Sequence, residues 1–359
     1  MALSKIRNDS FEDTAVHGRR NLIINGACTI SQRGTSFTDL ANGQYGLDRF
    51  HISKITLGAV DIKQTDDAPT ASQAGYLLTK CFHADVTTAD ASVAASDMYT
   101  IRQRVEYKNI AYVGFGQSGT RYVTASFWVK STKTGTFCCY IKSDDHTRAY
   151  TKEYTVSASD TWEYKALTFP VDTSSTSSWD GTSTDTGAEL GWTLYSGTDY
   201  HITADTWTTT SNNYAPCTSN QVNALDSASN DFKITGVQLE LGEQATPFEH
   251  RTYGEELSLC QRYYHQTDLV SYQRYDASAY ADLGSRVYTT PSLPQTMRAT
   301  PTISQSGLTV DGAAVTSVAN AAGNQRMSFV LNHDSSRTTR ESYQVYPTGT
   351  ASVKFDAEL

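Results

Sequence analysis

Residues 121–130 read RYVTASFWVK, a strict alternation that puts Val123, Ala125, Phe127 and Val129 on one face of an extended chain and Tyr122, Thr124, Ser126 and Trp128 on the other. A two-residue period cannot be satisfied by a helix, and it recurs along most of the chain. Thr136–Ser143 (TFCCYIKS) and Thr161–Val171 (TWEYKALTFPV) repeat it, the second stopped by Pro170. Glu189–Ser196 sets Leu190, Trp192 and Leu194 to one side, and Asp231–Leu241 does the same with Val237, Leu239 and Leu241. Gly, Ser, Thr, Asp and Asn clusters bound each run, as turns require. Many short strands without an intervening helical period predict a mostly β protein, a sandwich or jelly roll.

Composition narrows the class further. Charged residues are 19% of the 359, aromatics are 11%, and 22 residues are Tyr. That profile suits sheets and excludes a coiled coil, a long helical bundle or a disordered charged tail. No run of 18 apolar residues is present, so no membrane insertion is expected. The net charge of −9 offers no general attraction to nucleic acid. The opening MALSKIRNDSFEDT has no apolar stretch of the kind a secretion signal needs. The six cysteines, Cys28, Cys81, Cys138, Cys139, Cys217 and Cys260, show no C-x-x-C or zinc spacing. Free thiols acting as small buried hydrophobes are therefore expected, with Cys138 and Cys139 facing opposite ways on a strand.

The pattern divides the chain into four segments. Residues 1–20 are polar and without period, and read equally as a leader arm that docks or as a frayed terminus. Residues 21–251 form the jelly-roll β-sandwich, starting at the apolar run NLIINGACTI. Within it, the tract Asp172–Gly187 (DTSSTSSWDGTSTDTG) is predicted to be a surface loop. Residues 252–265 form a connecting helix: Thr252 and Glu255 have capping-box spacing, and Leu257, Cys260, Gln261 and Tyr264 come after them at helical steps over 253–264. Residues 266–359 return to a smaller β domain, with strands expected at Leu269–Tyr275, Arg286–Thr290, Arg326–Asn332 and Ser342–Tyr346. Few large apolar groups in this last region predict a thin core, open to completion by neighbouring subunits.

Motifs for chemistry are scarce. Gly114-Phe115-Gly116-Gln117-Ser118-Gly119 matches G-x-G-x-x-G, but it leads into the strand RYVTASFWVK instead of opening a helix, so it reads as a β turn and not a nucleotide site. Asp144-Asp145-His146 reads as a solvated turn, and Asp180 and Asp185 lack calcium-loop spacing. Asn8-Asp9-Ser10 matches a glycosylation acceptor that has no use without secretion. Nothing predicts catalysis, a cofactor or a metal. Sugar recognition by stacking is open to the aromatics. Trp128, Trp162 and Trp192 lie within strand runs, where core packing is the default, whereas Trp179 lies in the Ser/Thr tract. Trp179 and Tyr214, then Tyr195, Tyr200 and Trp207, are the predicted carbohydrate contacts.

Two long segments carry a resemblance. KIRNDSFEDTAVHGRRNLIINGACTISQRGTSFT at the start, and NDFKITGVQLELGEQATPFEHRTYGEELSLCQRYY over Asn230–Tyr264, resemble phage tail-fibre-like virion proteins. YGLDRF (45–50), SFWVKS (126–131) and TWEYK (161–165) fit between them in order, and MRATPTIS (297–304) agrees more weakly. The resemblance implies a structural protein of a bacteriophage particle, assembled in the host cytoplasm. Its first domain would be a carbohydrate-binding-module-type jelly roll, its leader would dock to other virion proteins, and the chain would form a homotrimer. Attachment to host-surface glycans is the function so implied. A purely architectural part (head fibre, decoration or tail connector) is the alternative. A polysaccharide depolymerase is disfavoured, since no internal repeat is present and no feature selects a carboxylate pair such as Asp180 and Asp185 or Glu240 and Glu243. Related jelly rolls hold a structural calcium near the strand start that Asp231 occupies, but no acidic cluster beside Asp231 is visible in sequence, so the metal is left unassigned.

Overall fold

A computed structural model describes residues 19–174, 179, 185–210, 214–271, 273, 276–282, 286–289, 293–322, 328–333 and 342–359. The expected leader 1–20 lies almost wholly outside these residues. The chain divides into two compact units with the boundary between Thr252 and Tyr253.

The first unit is an antiparallel β-sandwich of twelve named strands: β1 Ser36–Phe37, β2 His51–Ile55, β3 Ala59–Thr65, β4 Cys81–Thr88, β5 Met98–Glu106, β6 Tyr122–Ser131, β7 Gly135–Lys142, β8 Arg148–Val156, β9 Glu163–Pro170, β10 Thr186–Ser196, β11 Thr208–Thr209 and β12 Asp231–Leu241. One sheet runs β1-β3-β4-β12-β6-β9 and the other β11-β8-β7-β10-β5-β2. The alternation of β6 decides its placement. Val123, Ala125, Phe127 and Val129 enter the core between the sheets, where Leu190, Trp192 and Leu194 of β10 meet them. Phe127 and Trp192 touch edge to face, with centroids 5.4 Å apart at 86°. On β7, Cys139 joins this core, while Cys138 turns outward to the Thr218 hydroxyl at 3.7 Å. All six cysteines are buried as thiols.

The apolar run at residues 21–30 forms no named strand. It lies along β12, with the Leu22 amide donating to the Leu239 carbonyl at 2.8 Å. Gly26 permits that approach, since a Cβ there would sit 2.1 Å from the Val237 carbonyl oxygen. The same strip fastens the last residues of the unit. The Asn21 amide donates to Glu249 at 2.6 Å, Arg20 to the Pro247 carbonyl, and Arg251 to the carbonyls of Ile23 and Asn21. The points where the chain enters and leaves the sandwich are thus joined in one clasp.

The Asp172–Gly187 tract departs from a simple surface loop. Its ends turn inward: Asp172 and Trp179 are buried, and Thr186 and Gly187 belong to β10. Residues 175–178 and 180–184 lie outside the described set. Gly114 and Gly116, at φ 76° and 77°, shape the turn before β6, as the sequence context of the G-x-G-x-x-G match requires.

The second unit opens on a helix over Tyr253–Gln261, shorter than the expected 252–265 because Tyr264–Leu269 is already β13. β14 Asp276–Asp282, β15 Arg286–Thr289, β16 Thr302–Val310, β17 Ala313–Ala322, β18 Ser328–His333 and β19 Ser342–Asp356 complete its sheet. Of the strand expected at Leu269–Tyr275, Leu269 closes β13, the Val270 amide beyond it donates to the Gln273 side chain at 3.2 Å, and residues 272, 274 and 275 lie outside the described set. β19 pairs with β13 and β14 and also with β16, so the run β14-β15-β18-β17-β16 that leaves β19 closes back onto it. A small core of Val287, Met297, Leu308, Val310, Val345, Val353 and Phe355 fills it.

Candidate functional site

The five predicted sugar contacts occupy two places, and most of them have their ring faces covered. Trp179 is 4% exposed; its ring stacks on Phe115 at 4.4 Å and its indole N–H donates to Asp172 at 2.9 Å. Arg148 holds the same carboxylate at 2.8 Å, so Trp179 closes a buried polar contact instead of standing in solvent. Trp207 packs edge-on to Trp179 at 5.6 Å and donates to the Pro170 carbonyl. Tyr195 is fully buried, its hydroxyl between Asp90 at 3.0 Å and Asp97 at 2.8 Å. Tyr200 is buried with its hydroxyl on the Ser96 carbonyl, and half-buried Tyr214 leans on His146 at 4.6 Å. Trp179, Tyr195 and Tyr200 are therefore packing residues, a correction that rests on where their polar atoms are satisfied.

A different set of rings forms a groove of about 580 Å³ on the outer face of the β12-β6-β9 sheet. Its floor is Trp128 on β6 and Tyr164 on β9, directly opposite each other in register. Their centroids are 5.4 Å apart and their planes inclined at 53°. Trp128 is 9% exposed and rests on Leu78 and Cys81, whereas Tyr164 is 42% exposed. A bulge in β12 makes room for the indole: the register slips between Thr235 and Gln238 around Gly236, at φ 60°, whose vacant Cβ position is 3.3 Å from the Trp128 ring.

Two walls complete the groove. One is the short helix Ala71–Ala74, capped reciprocally by Thr70 and Gln73 and ended by Gly75, which leads into Tyr76. The other is the segment after β12. Glu240 accepts bonds from the Thr246 amide and hydroxyl at 2.8 and 2.6 Å, and Gln238 accepts from the Glu249 amide at 2.8 Å. These anchors fold Ala245–Phe248 back over the sheet, and Phe248 stacks on Tyr76 at 5.8 Å. Burial pushes the Tyr76 phenol up, while the Trp128 N–H beside it opposes this without reaching hydrogen-bond geometry.

Beyond the rings, the cations on this face are paired. Lys63, His83, Lys233 and Lys130 lie opposite one another on neighbouring strands, as do Asp61, Asp85 and Asp231 in the next row. Lys63 pairs with Asp85 at 2.6 Å, His83 with Asp231 at 2.8 Å and Lys233 with Asp67 at 2.7 Å; Lys130 bridges Asp67 and Asp160. The cross-strand carboxylate cluster that sequence alone hides does bring His83, Asp85 and Asp231 within 4.8 Å. With two lysines already neutralising it, the set does not fit a divalent cation.

The opposite sheet buries a second ionic group. Glu189 on β10 meets Arg102 at 3.1 Å, Lys142 at 3.1 Å and Arg104 at 3.2 Å. Burial works to raise its carboxyl, but these cations hold it far below the usual range. Burial pulls the Lys142 ammonium down to about 7, against the attraction of Glu189. His51, pulled down to about 2 by burial and then by Arg102 and Arg104, stays neutral and accepts from the Arg102 Nε–H at 2.9 Å. No cavity among those described opens onto this group.

No protein-family model and no curated protein matches the chain. Similar solved structures include TmCBM61 in complex with β-1,4-galactotriose, at 11% identity and a TM-score of 0.28, covering 63% of this chain and all (100%) of that one. The family 11 carbohydrate-binding module from Clostridium thermocellum, in complex with a β-1,3-1,4-mixed-linked tetrasaccharide, aligns at 10% identity and a TM-score of 0.29 over 60% of this chain and 98% of its own. The CBM22-1 xylan-binding domain from Paenibacillus barcinonensis aligns at 10% identity and 0.23 over 58% and 94%. At identities and scores this low the likeness carries no argument about family, ligand or binding residues; the β-sandwich rests on the strand pairing itself.

Proposed function

We propose that the protein binds glycans without chemistry and that the groove over Trp128 and Tyr164 is where it does so. The observation that carries this reading is a concave site with aromatic floor and walls, one ring of which, Tyr164, is left substantially exposed. Sugar rings present apolar C–H faces edged by hydroxyls, and inclined aromatic planes flanked by hydrogen-bonding groups match that chemistry. Titrating the protein with host-surface polysaccharide tests it: Tyr164→Ala should weaken binding at least tenfold, and unchanged affinity would remove the groove from consideration.

The biological setting we propose is a bacteriophage virion, in which the protein is a homotrimeric fibre component that docks through residues 1–20 and attaches the particle to the host. Support comes from the contiguous sequence segments at residues 5–38 and 230–264. Weak single-site contacts repeated over three subunits and several fibres would give firm adhesion. Purified particles should contain the protein, and deletion of residues 1–20 should abolish its incorporation; normal incorporation would show that the leader is not the anchor.

A further inference from the structure

We infer that the sandwich carries a second contact surface, a rigid apolar tip formed by residues 55–58 and 89–96, which dips into the surface of a neutral phospholipid bilayer. It is independent of the groove, and it is a contact with a membrane surface, not a span.

Two turns build the tip. One joins β2 to β3 and carries Ile55 and Leu57; the other, between β4 and β5, reads ASVAAS over residues 91–96, all of them exposed. Leu57, at 91%, is the most exposed large hydrophobic side chain among the described residues, and Ile55 and Val93 are 46% and 44% exposed. Asp90 ties the two turns together from beneath. Its buried carboxylate accepts from the Thr56 hydroxyl at 2.7 Å, the Leu57 amide at 3.0 Å, the Ser92 amide at 3.3 Å and the Tyr195 hydroxyl at 3.0 Å. The aliphatic side chains are thus held outward on a fixed mount, which keeps the ordering cost of a contact low.

Position, charge and size together point to lipid. Strand β12 runs from this end of the sheets, where Asp231 pairs with Asp85 and Thr88 with Ala59, to the clasp, where Leu239 meets Leu22. The tip therefore lies at the end away from the points where the chain enters and leaves the sandwich. Ionisable groups next to it are engaged: Asp97 accepts from the Ala94 amide and the Tyr195 hydroxyl, both at 2.8 Å, Lys54 pairs with Asp39, and Lys133 with Asp226. Asp199, whose amide donates to the Ala95 carbonyl at 3.0 Å, adds an exposed acid at the rim, so the tip offers nothing to an anionic headgroup. A specific protein partner buries about 800 Å² on each side, from about 20–30 residues, far more than two short turns supply. A bilayer surface accepts a few aliphatic side chains of any outline.

The full chain, Leu57→Ser, Leu57→Ser with Val93→Ser, and Tyr164→Ala are sedimented with vesicles of phosphatidylcholine alone and of phosphatidylcholine mixed with phosphatidylglycerol. Because the six native thiols are buried, Ser92→Cys also takes a polarity-sensitive fluorophore at the tip. The unaltered chain should be retained on phosphatidylcholine, about tenfold less in Leu57→Ser and less again in the double variant. Phosphatidylglycerol should bring no gain, the fluorophore should shift to the blue with vesicles, and Tyr164→Ala should match the unaltered chain. Urea midpoints should be unchanged in the serine variants; if Leu57→Ser lowers its own, Val93→Ser alone carries the same test. No retention of the unaltered chain, equal retention of Leu57→Ser, retention that requires phosphatidylglycerol or is lost in Tyr164→Ala, or an oligomer in solution that Leu57→Ser dissolves would each overturn the inference. None of these outcomes except the loss in Tyr164→Ala bears on the groove.

Discussion

Trp128 and Tyr164 face each other across the β6–β9 pair with their rings 5.4 Å apart, yet only the first is packed into the sheet. The indole sits over the Gly236 bulge against Leu78, and the phenol remains largely in solvent. The two should separate by experiment. Trp128→Ala should cost about 3–5 kcal/mol of stability, as for other large buried aromatics. Tyr164→Ala should cost under about 1 kcal/mol, as surface changes do, while removing the exposed ring of the groove. Urea midpoints of the two variants check this.

Trp179 should behave as a core residue despite its polar surroundings in sequence. Trp179→Ala is expected to lose about 3–5 kcal/mol, with a cavity beside Phe115 and Trp207. Trp179→Phe should lose less, since Asp172 keeps Arg148 when the indole donor goes.

Glu240 carries the wall of the groove on three accepted hydrogen bonds, from Gln238 and from the amide and hydroxyl of Thr246. Glu240→Ala should release Ala245–Phe248 and weaken glycan binding more than tenfold; calorimetric titration against the intact protein measures it. Thr246→Val, which removes only the hydroxyl bond, should have a smaller effect in the same direction.

Acid should destabilise the protein before the carboxylates titrate. His51 and His146, ordinarily near 6.5, are pulled down to about 2 and about 3, in both cases chiefly by burial. The unfolded chain therefore binds protons below pH 6.5 that the folded chain refuses, so stability falls as pH drops through the interval between 6.5 and those folded values. The limiting slope is about 1.4 kcal/mol per pH unit for each histidine. Between pH 6.5 and 4.5 these two groups should dominate for the first unit, where His51→Gln should flatten the urea midpoint, while His265, lowered by burial, acts with the same sign in the second.

The thiols should be silent in the native state. Burial pushes Cys81 up to about 11 and Cys217 up to about 12, and raises Cys138 and Cys139 as well. A thiol-specific chromogenic reagent should label none rapidly in buffer and all six in denaturant.

The strand faces were legible because a two-residue period states which side chains go together. The inward set of β6 meets the inward set of β10 where Phe127 touches Trp192. The outward set of β6 also held a clue to the groove, since Trp128 shares that face with Thr124 and Ser126. The period cannot state which distant segments fold over a face. Tyr76 and Phe248 reach Trp128 through a capped turn and through the anchors on Glu240, contacts between remote parts of the chain. Trp179 misleads for the same reason. Its Ser- and Thr-rich neighbours suggest exposure, and only the inward position of Asp172 accounts for its burial. The helix of the second unit was visible at its start but not at its end, because Tyr264 serves a helical step and a strand equally well until β19 pairs with it.

The clasp that joins Asn21 to Glu249 and Arg251 also governs how a pull along the chain would be borne. Tension applied between Arg20, where the chain enters the sandwich, and Thr252, where it leaves, loads these few cross-links first, while the two sheets hang outside the line of force. A sandwich mounted that way is a pendant, and its strands need no resistance to unravelling from their ends. The wall of the groove runs through the clasp, so the stretch of chain that would feel strain first is the one that lines the groove.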